Sequence, residues 1–200
     1  MTKQQKLYKG ISKAAIGFFF VFFNFSINKI DLLPSFIGYL FFLSAIEYLK
    51  EEERDLSLLR IMGIMLFFWN LVHWILCWFD VYFIGFWKFI VIVFDITELY
   101  FLFQMLTDLS SIARRYQPEN YLLDKKIIIY RTIETIITTI ITGVWFFSVS
   151  SSPFWILISL VLSVISFVAV ICIILVLMDL RKIILYNEMN TVHQNEQNGL

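Results

Sequence analysis

Six long apolar runs dominate the sequence and restrict what the chain can fold into. They cover about residues 11–27, 33–49, 59–79, 83–106, 127–149 and 154–178. An apolar helix of about 20 residues crosses the hydrocarbon of a bilayer and satisfies its own backbone hydrogen bonds there. The pattern therefore predicts an all-α fold, a polytopic membrane bundle of six transmembrane helices. The first two runs are short, so a re-entrant hairpin is the alternative to two separate spans.

Composition supports a membrane protein over a soluble one. Hydrophobic residues make up 60% of the chain, whereas an ordinary soluble domain holds about 45–50%. The net charge is zero and dense basic blocks are absent, so nucleic acid is not an expected partner. Ile, Phe, Lys and Asn are abundant relative to Ala and Gly, which suggests an AT-rich genome. We expect the protein to reside in the cell membrane of a bacterium, where the lipid bilayer is its first partner.

The positive charges give the expected orientation. All Lys and Arg residues except Lys29 and Lys88 fall in the N-terminal arm, in or beside the second and fourth connections, or directly after the last helix. Short loops rich in Lys and Arg stay on the cytoplasmic side. Both termini are therefore expected in the cytoplasm. Residues 1–186 form one transmembrane domain in this interpretation, and the polar segment 187–200 is predicted to be a disordered cytoplasmic tail.

The first hairpin resembles a known group of membrane proteins. The segment carries Asn24, Asn28, Asp31, Leu33, Pro34, Phe36, Ile37, Gly38 and Tyr39. It is similar to the first hairpin of small, uncharacterised polytopic proteins from low-GC Gram-positive bacteria, where Asn residues precede a Leu-Pro-x-Phe-Ile-Gly-Tyr turn. The resemblance implies a polytopic fold and no particular activity. Pro34 suits the start of a helix, and Gly38 allows close approach of a second helix.

A few ionisable residues fall inside the apolar runs, where a charge is costly and often functional. Asp95 and Glu98 share one face of the fourth helix, whereas Arg131 and Glu134 share one face of the fifth. The topology brings Glu98, Arg131 and Glu134 to similar depth, and Asp95 lies one turn from Glu98. The sequence therefore predicts an intramembrane polar cluster, in which Arg131 pairs with a carboxylate. The alternative is that Arg131 extends to the cytoplasmic interface and Glu98 binds a Thr hydroxyl or water.

Asn70 and His73 are secondary candidates, because they lie three residues apart on the third helix and can meet the fourth. An interhelical hydrogen bond is the favoured role. One His without a neighbouring Cys or His cannot build a metal site, so no metal is expected. Cys77 and Cys172 are expected to be buried, inert thiols near opposite membrane faces.

Small hydroxyl residues form stripes on the last two helices. These residues are Thr135, Thr138, Thr139 and Thr142 on the fifth helix and Ser159, Ser163 and Ser166 on the sixth. Such stripes favour close packing and interhelical hydrogen bonds. A hydrophilic path would use the same residues.

No catalytic or cofactor motif stands out, so neither an enzyme nor a cofactor is expected. Two functions remain. The first is an accessory, immunity or assembly module that binds another membrane protein, a second copy of itself or lipid. The alternative is a small transporter or substrate-binding membrane subunit that uses Asp95, Glu98, Arg131 and Glu134. A filled bundle would favour the first function, and a polar cavity near the midplane would favour the second.

The topology predicts which positions a membrane-impermeant thiol reagent reaches in intact cells. Cysteines placed at Asp31, Asp80 and Ser151 should react from outside, and those at Glu52, Gln117 and Asn195 should not, because cationic loops are retained in the cytoplasm. The measurement is the extent of labelling in intact and in permeabilised cells. Labelling of the Asn195 position from outside would contradict the orientation.

Overall fold

The computed structural model describes residues 2–23, 26–27, 30–31, 33–53, 56–79, 87–118, 120–146 and 153–197. The helices are α1 (Lys3–Phe22), α2 (Ser35–Leu49), α3 (Leu56–Trp78), α4 (Trp87–Tyr116), α5 (Leu123–Phe146) and α6 (Pro153–Gln197). Between α1 and α2, the two-residue strands β1 (Ser26–Ile27) and β2 (Ile30–Asp31) pair antiparallel, with Ser26 opposite Asp31. The predicted all-α fold is confirmed.

Four of these helices are long and apolar enough to cross a membrane. The candidate spans are Leu56–Trp78, Lys88–Tyr116, Leu123–Val144 and Phe154–Glu188, and α2 is a shorter apolar helix. Their outer faces carry exposed large side chains, such as Ile61 at 62% and Leu160 at 63% exposure. A water-soluble protein rarely exposes so continuous an apolar surface. The chain is therefore suited to embedding in a membrane.

The helices form a ring in chain order. Each helix packs against the next one, and α6 returns to pack against α1. Short connections between consecutive helices make neighbours antiparallel. The ring therefore has two ends, and we call the end that holds the α2–α3 and α4–α5 connections the charged end.

Glycines let α1 and α2 pack closely. A Cβ atom at Gly38 would lie 2.6 Å from Val21 Cγ2 and 2.9 Å from the backbone oxygen of Gly17. A Cβ atom at Gly17 would lie 2.8 Å from the Phe42 ring. Since carbon atoms do not approach so closely, a side chain at either position would push the helices apart. The role predicted for Gly38 is confirmed.

Packing is dense in the half of the ring next to the charged end. There Phe42 contacts Phe18 and Phe101 edge to face, with ring centroids 4.9 and 5.5 Å apart. All three rings are fully buried. In the other half, the described parts of α3 after Asn70 and of α6 before Phe167 are mostly exposed or half-buried. The ring is therefore packed at one end and looser at the other.

Ionic contacts join the helices at the charged end. The Glu52 side chain is only 6% exposed, and it pairs with Lys3 at 3.0 Å and with Arg115 at 3.9 Å. Its Oε2 atom also accepts a hydrogen bond from the Tyr116 hydroxyl at 3.1 Å. Arg115 further binds the backbone oxygen of Glu52 and the carboxylate of Glu53. These contacts connect α1, the α2–α3 connection and α4.

A second ion pair at this end is exposed. Lys6 Nζ lies 2.8 Å from Glu51 Oε1, and this hydrogen bond lowers the pKa of the Glu51 carboxyl. A lowered pKa means that the pair stabilises the fold above the ordinary Glu pKa. The contribution is lost as the pH falls through the lowered value.

Local capping explains why several helices are longer than predicted. Thr2 and Gln5 form a capping box, so α1 begins at Lys3, not near residue 11. The Gln117 side chain accepts hydrogen bonds from the backbone N–H groups of Leu123 and Asp124. The fourth connection is therefore short, because α4 continues to Tyr116 and α5 begins at Leu123.

Two further expectations differ from the structure. Helix α6 runs to Gln197, through most of the segment 187–200 that was predicted to be disordered. Before Gly199, this polar segment contains neither Gly nor Pro to stop a helix. The expectation that both cysteines are buried was wrong for Cys77, which is exposed on the outer face of α3, whereas Cys172 is half-buried.

The ionic contacts predict a stability difference between two neighbouring glutamates. Glu52→Gln should lower the melting temperature in detergent, with a loss of roughly 1–3 kcal/mol, because buried charged hydrogen bonds are replaced by weaker ones. Glu51→Gln is the matched control, and it should change little because its partner Lys6 and its own side chain are exposed. The measurement is thermal unfolding of both variants beside the wild type. Equal effects would contradict the role given to Glu52.

Candidate functional site

A cavity of about 260 Å³ lies inside the ring, against α4 and α5. The residues that line it are Phe22 of α1; Asp95, Glu98, Leu99, Leu102, Phe103 and Leu106 of α4; and Arg131, Glu134, Thr135, Thr138 and Thr142 of α5. The cavity thus contains the whole predicted polar cluster. The α4 wall combines two carboxylates with apolar and aromatic side chains, whereas the α5 wall carries Arg131, Glu134 and three threonine hydroxyls.

Glu134 is the most deeply buried ionisable residue of the cavity, at 6% exposure. Its Oε1 atom accepts hydrogen bonds from the hydroxyls of Ser166, at 2.8 Å, and Thr138, at 3.2 Å. Its Oε2 atom is buried and has no hydrogen-bond partner in the described part of the chain. Glu134 therefore links α5 to α6 through one oxygen, and its other oxygen is buried beside the cavity without a hydrogen-bond partner among the described residues.

Arg131 faces the same cavity but pairs with groups other than the predicted ones. Its Nη1 atom donates to Thr107 Oγ1 at 2.7 Å, and its guanidinium carbon lies 4.1 Å from the centre of the Phe103 ring. Within the described ranges, no ion pair joins Arg131 to Glu98 or Glu134. The predicted Arg131–carboxylate pair was therefore wrong. The ring face of Phe103 and the Thr107 hydroxyl attract the guanidinium toward α4 instead.

Glu98 and Asp95 extend the polar wall along α4. Glu98 is half-buried and interacts with the Tyr39 hydroxyl of α2. That hydroxyl is buried, although no described atom forms a hydrogen bond of ordinary length with it. Asp95 lies one turn nearer the start of α4, is exposed, and interacts electrostatically with His73 of α3. Carboxylates from α4 thus contact residues of α2 and α3.

The secondary candidates play smaller parts. His73 interacts electrostatically with Asp95 of α4. Its Nδ1 atom also lies 3.8 Å from Cys77 Sγ, so the expectation that no cysteine neighbours His73 was wrong. The Asn70 side chain instead donates to the backbone oxygen of Leu66, at 2.9 Å on its own helix. Neither residue lines the cavity.

The hydroxyl stripes have divided roles. Thr135, Thr139 and Ser163 donate to backbone oxygens one turn earlier on their own helices. Only Thr138 and Ser166 bind the Glu134 carboxylate. The predicted interhelical hydrogen bond between the stripes is therefore made through Glu134 and not between hydroxyls.

Three residues near the site or on its helices were not singled out from the sequence. Tyr39 stood only within the first-hairpin resemblance, although a Tyr hydroxyl inside an apolar run signals a polar partner. Phe103 was one of many aromatic residues. Asp108 is buried at 4% exposure and accepts a hydrogen bond from Gln104, but it lay beyond the predicted end of the fourth helix.

Within the described ranges, no group of three or more His, Cys, Asp or Glu residues is arranged to hold a metal ion.

Comparisons of the chain with protein-family models, with curated proteins and with solved structures found no match.

The Glu134 contacts predict a difference between two serines of α6. Ser166→Ala should lower the stability in detergent by about 0.6–1.7 kcal/mol, the range measured for hydrogen bonds between membrane helices, because it removes the link from α6 to Glu134. Ser163→Ala removes a hydroxyl that binds only its own helix, so its stability should stay near that of the wild type. Thermal unfolding of the two variants is the measurement. A larger loss for Ser163→Ala would refute the assignment.

Proposed function

We propose that this chain is an integral membrane protein that binds a small solute in the cavity between α4 and α5. It would act as a small transporter or as the substrate-binding membrane subunit of one. The buried and unsatisfied Oε2 atom of Glu134 carries the proposal. A polar group of this kind costs roughly 1–3 kcal/mol unless a partner satisfies it, and a bound solute provides that partner.

The cavity favours this function over the accessory module. A module that acts only through its outer surface has no need for polar side chains inside the ring, and hydrophobic side chains would fill that space at lower cost. Here three carboxylates and a guanidinium face the same cavity. Ionisable groups at membrane depth are typical of solute and ion pathways. We propose binding without catalysis, in line with the absence of a catalytic motif in the sequence.

The proposed topology has six spans, with the charged end in the cytoplasm of a bacterial cell. The proposal counts as spans both α1, which has 20 residues, and α2, which has 15. The pairing of Lys3, Lys6 and Arg115 with the α2–α3 connection places cationic residues of α1 and α4 at one end. Cationic ends face the cytoplasm. The resemblance to small polytopic proteins of low-GC Gram-positive bacteria agrees with this proposal.

Access of water-soluble molecules to the cavity tests the function. The parent protein carries Cys77→Ser and Cys172→Ser, and Thr138→Cys then places one thiol in the cavity wall. A water-soluble methanethiosulfonate should modify this thiol in reconstituted vesicles, because a solute site must open to water on at least one side. The measurement is the rate of modification by mass spectrometry.

Ile136→Cys in the same parent protein is the matched control. Ile136 lies two residues before Thr138 on α5 and is 54% exposed on the outer face. Lipid covers that face in a membrane, so this thiol should react slowly. If Thr138→Cys reacts as slowly as Ile136→Cys, the cavity is closed to solutes and the accessory-module function is favoured.

A further inference from the structure

The charges of the cavity point to the chemical class of its solute. Asp95, Glu98 and Glu134 supply three carboxylates, and Arg131 is the one described cation among the lining residues. Arg131 is bound to Thr107 and stacked on Phe103, so its charge does not satisfy Glu134 directly. An anionic solute would meet an excess of negative charge. The site therefore favours a cation.

Hydrogen bonding narrows the class further. The Glu134 Oε2 atom is a buried acceptor without a donor among the described residues, and a cation that carries N–H groups can supply one. A quaternary ammonium group brings charge but no donor, and a neutral alcohol brings a donor but no charge. Protonation of Glu134 would not remove the need for a hydrogen-bond partner at Oε2, because the new O–H group would be a buried donor with no acceptor among the described residues. A protonated amine supplies both the donor and the charge.

The volume of the cavity and the residues of its walls indicate the size and the apolar character of the remaining part of the solute. Its volume of about 260 Å³ is below the range of about 300–1,000 Å³ of pockets for drug-sized ligands. Opposite Glu134 and Thr138, the α4 wall offers Leu99, Leu102 and Phe103. An apolar body of the size of one ring fits against these side chains while its amino group reaches α5.

We propose that the cavity binds a small protonated amine with an apolar body, and that the ammonium group donates a hydrogen bond to Glu134 Oε2. The inference rests on the proposed function, since it assigns a solute to the same cavity. Glu98 adds a second negative charge on the α4 wall, which attracts the same ammonium group. The apolar body lies between Leu102 and Phe103.

Binding of matched probes to the full chain in detergent tests the class. The probes are 2-phenylethylamine, 2-phenylethanol, 3-phenylpropanoate and trimethyl(2-phenylethyl)ammonium, which share one ring and differ in charge and donors. Titration calorimetry should show the amine binding about ten- to a hundred-fold more tightly than each of the others, as expected for one charged hydrogen bond. If the alcohol, the anion or the quaternary ion binds as tightly as the amine, the proposal is overturned.

A variant pair tests the assigned residue. Glu134→Gln keeps an acceptor for Ser166 and removes the charge, so the affinity for the amine should fall by about ten- to a hundred-fold. Glu47→Gln is the control, because Glu47 is exposed at the charged end and pairs with Lys50 and Arg60 there. Its affinity should match that of the wild type. Unchanged binding in Glu134→Gln would overturn the assignment even if the amine remains the best probe.

The two proposals fail in different ways. If Thr138→Cys is modified by the water-soluble reagent but 2-phenylethylamine shows no preference over the other probes, or no binding at all, the solute-binding function stands and the amine class is wrong. If Thr138→Cys is not modified, the proposed function fails, and the amine proposal fails with it.

Discussion

The fold depends first on the ionic contacts of Glu52 at the charged end. The Glu52 carboxylate binds Lys3 of α1 and Tyr116 of α4. The backbone oxygen of Glu52 accepts a hydrogen bond from Arg115 of α4. The α2–α3 connection is therefore held between the start of α1 and the end of α4. Further along the same helices, roughly 22 Å from Lys3 and Tyr116, the buried rings of Phe18, Phe42 and Phe101 form the aromatic core.

The polar character of the cavity depends on which residues Arg131 contacts. On α5, Arg131 and Glu134 lie one turn apart and an ion pair between them would be expected. The guanidinium instead stacks on Phe103 and binds Thr107, both on α4. Glu134 turns to Ser166 of α6. Opposite charges on one helix are thus used to join three helices, and the space between them remains polar and incompletely satisfied.

Much of the architecture could be predicted from periodicity, whereas the partners of each polar group could not. The runs from 33 to 49 and from 59 to 79 lie close to α2 and α3, because hydrophobic length is a local property. Grouping Asp95, Glu98, Arg131 and Glu134 needed only the topology and the rise of a helix. To predict that Arg131 stacks on Phe103 and does not pair with Glu98, one must know how α4 and α5 are rotated about their axes. That rotation is fixed by packing with α3 and α6, which the sequence of a single helix does not encode.

The length of α6 has a mechanical consequence. Its 45 residues extend roughly 68 Å at 1.5 Å per residue, more than twice the hydrocarbon thickness of about 30 Å. If the lipid boundary lies near Arg181 and Lys182, the 15 residues from 183 to 197 rise about 22 Å into the aqueous phase as a stiff rod. Near its base, Asn187 binds the backbone oxygen of Tyr116 at the end of α4. A lateral force on the rod would therefore act as torque on α4, the helix that carries Glu98.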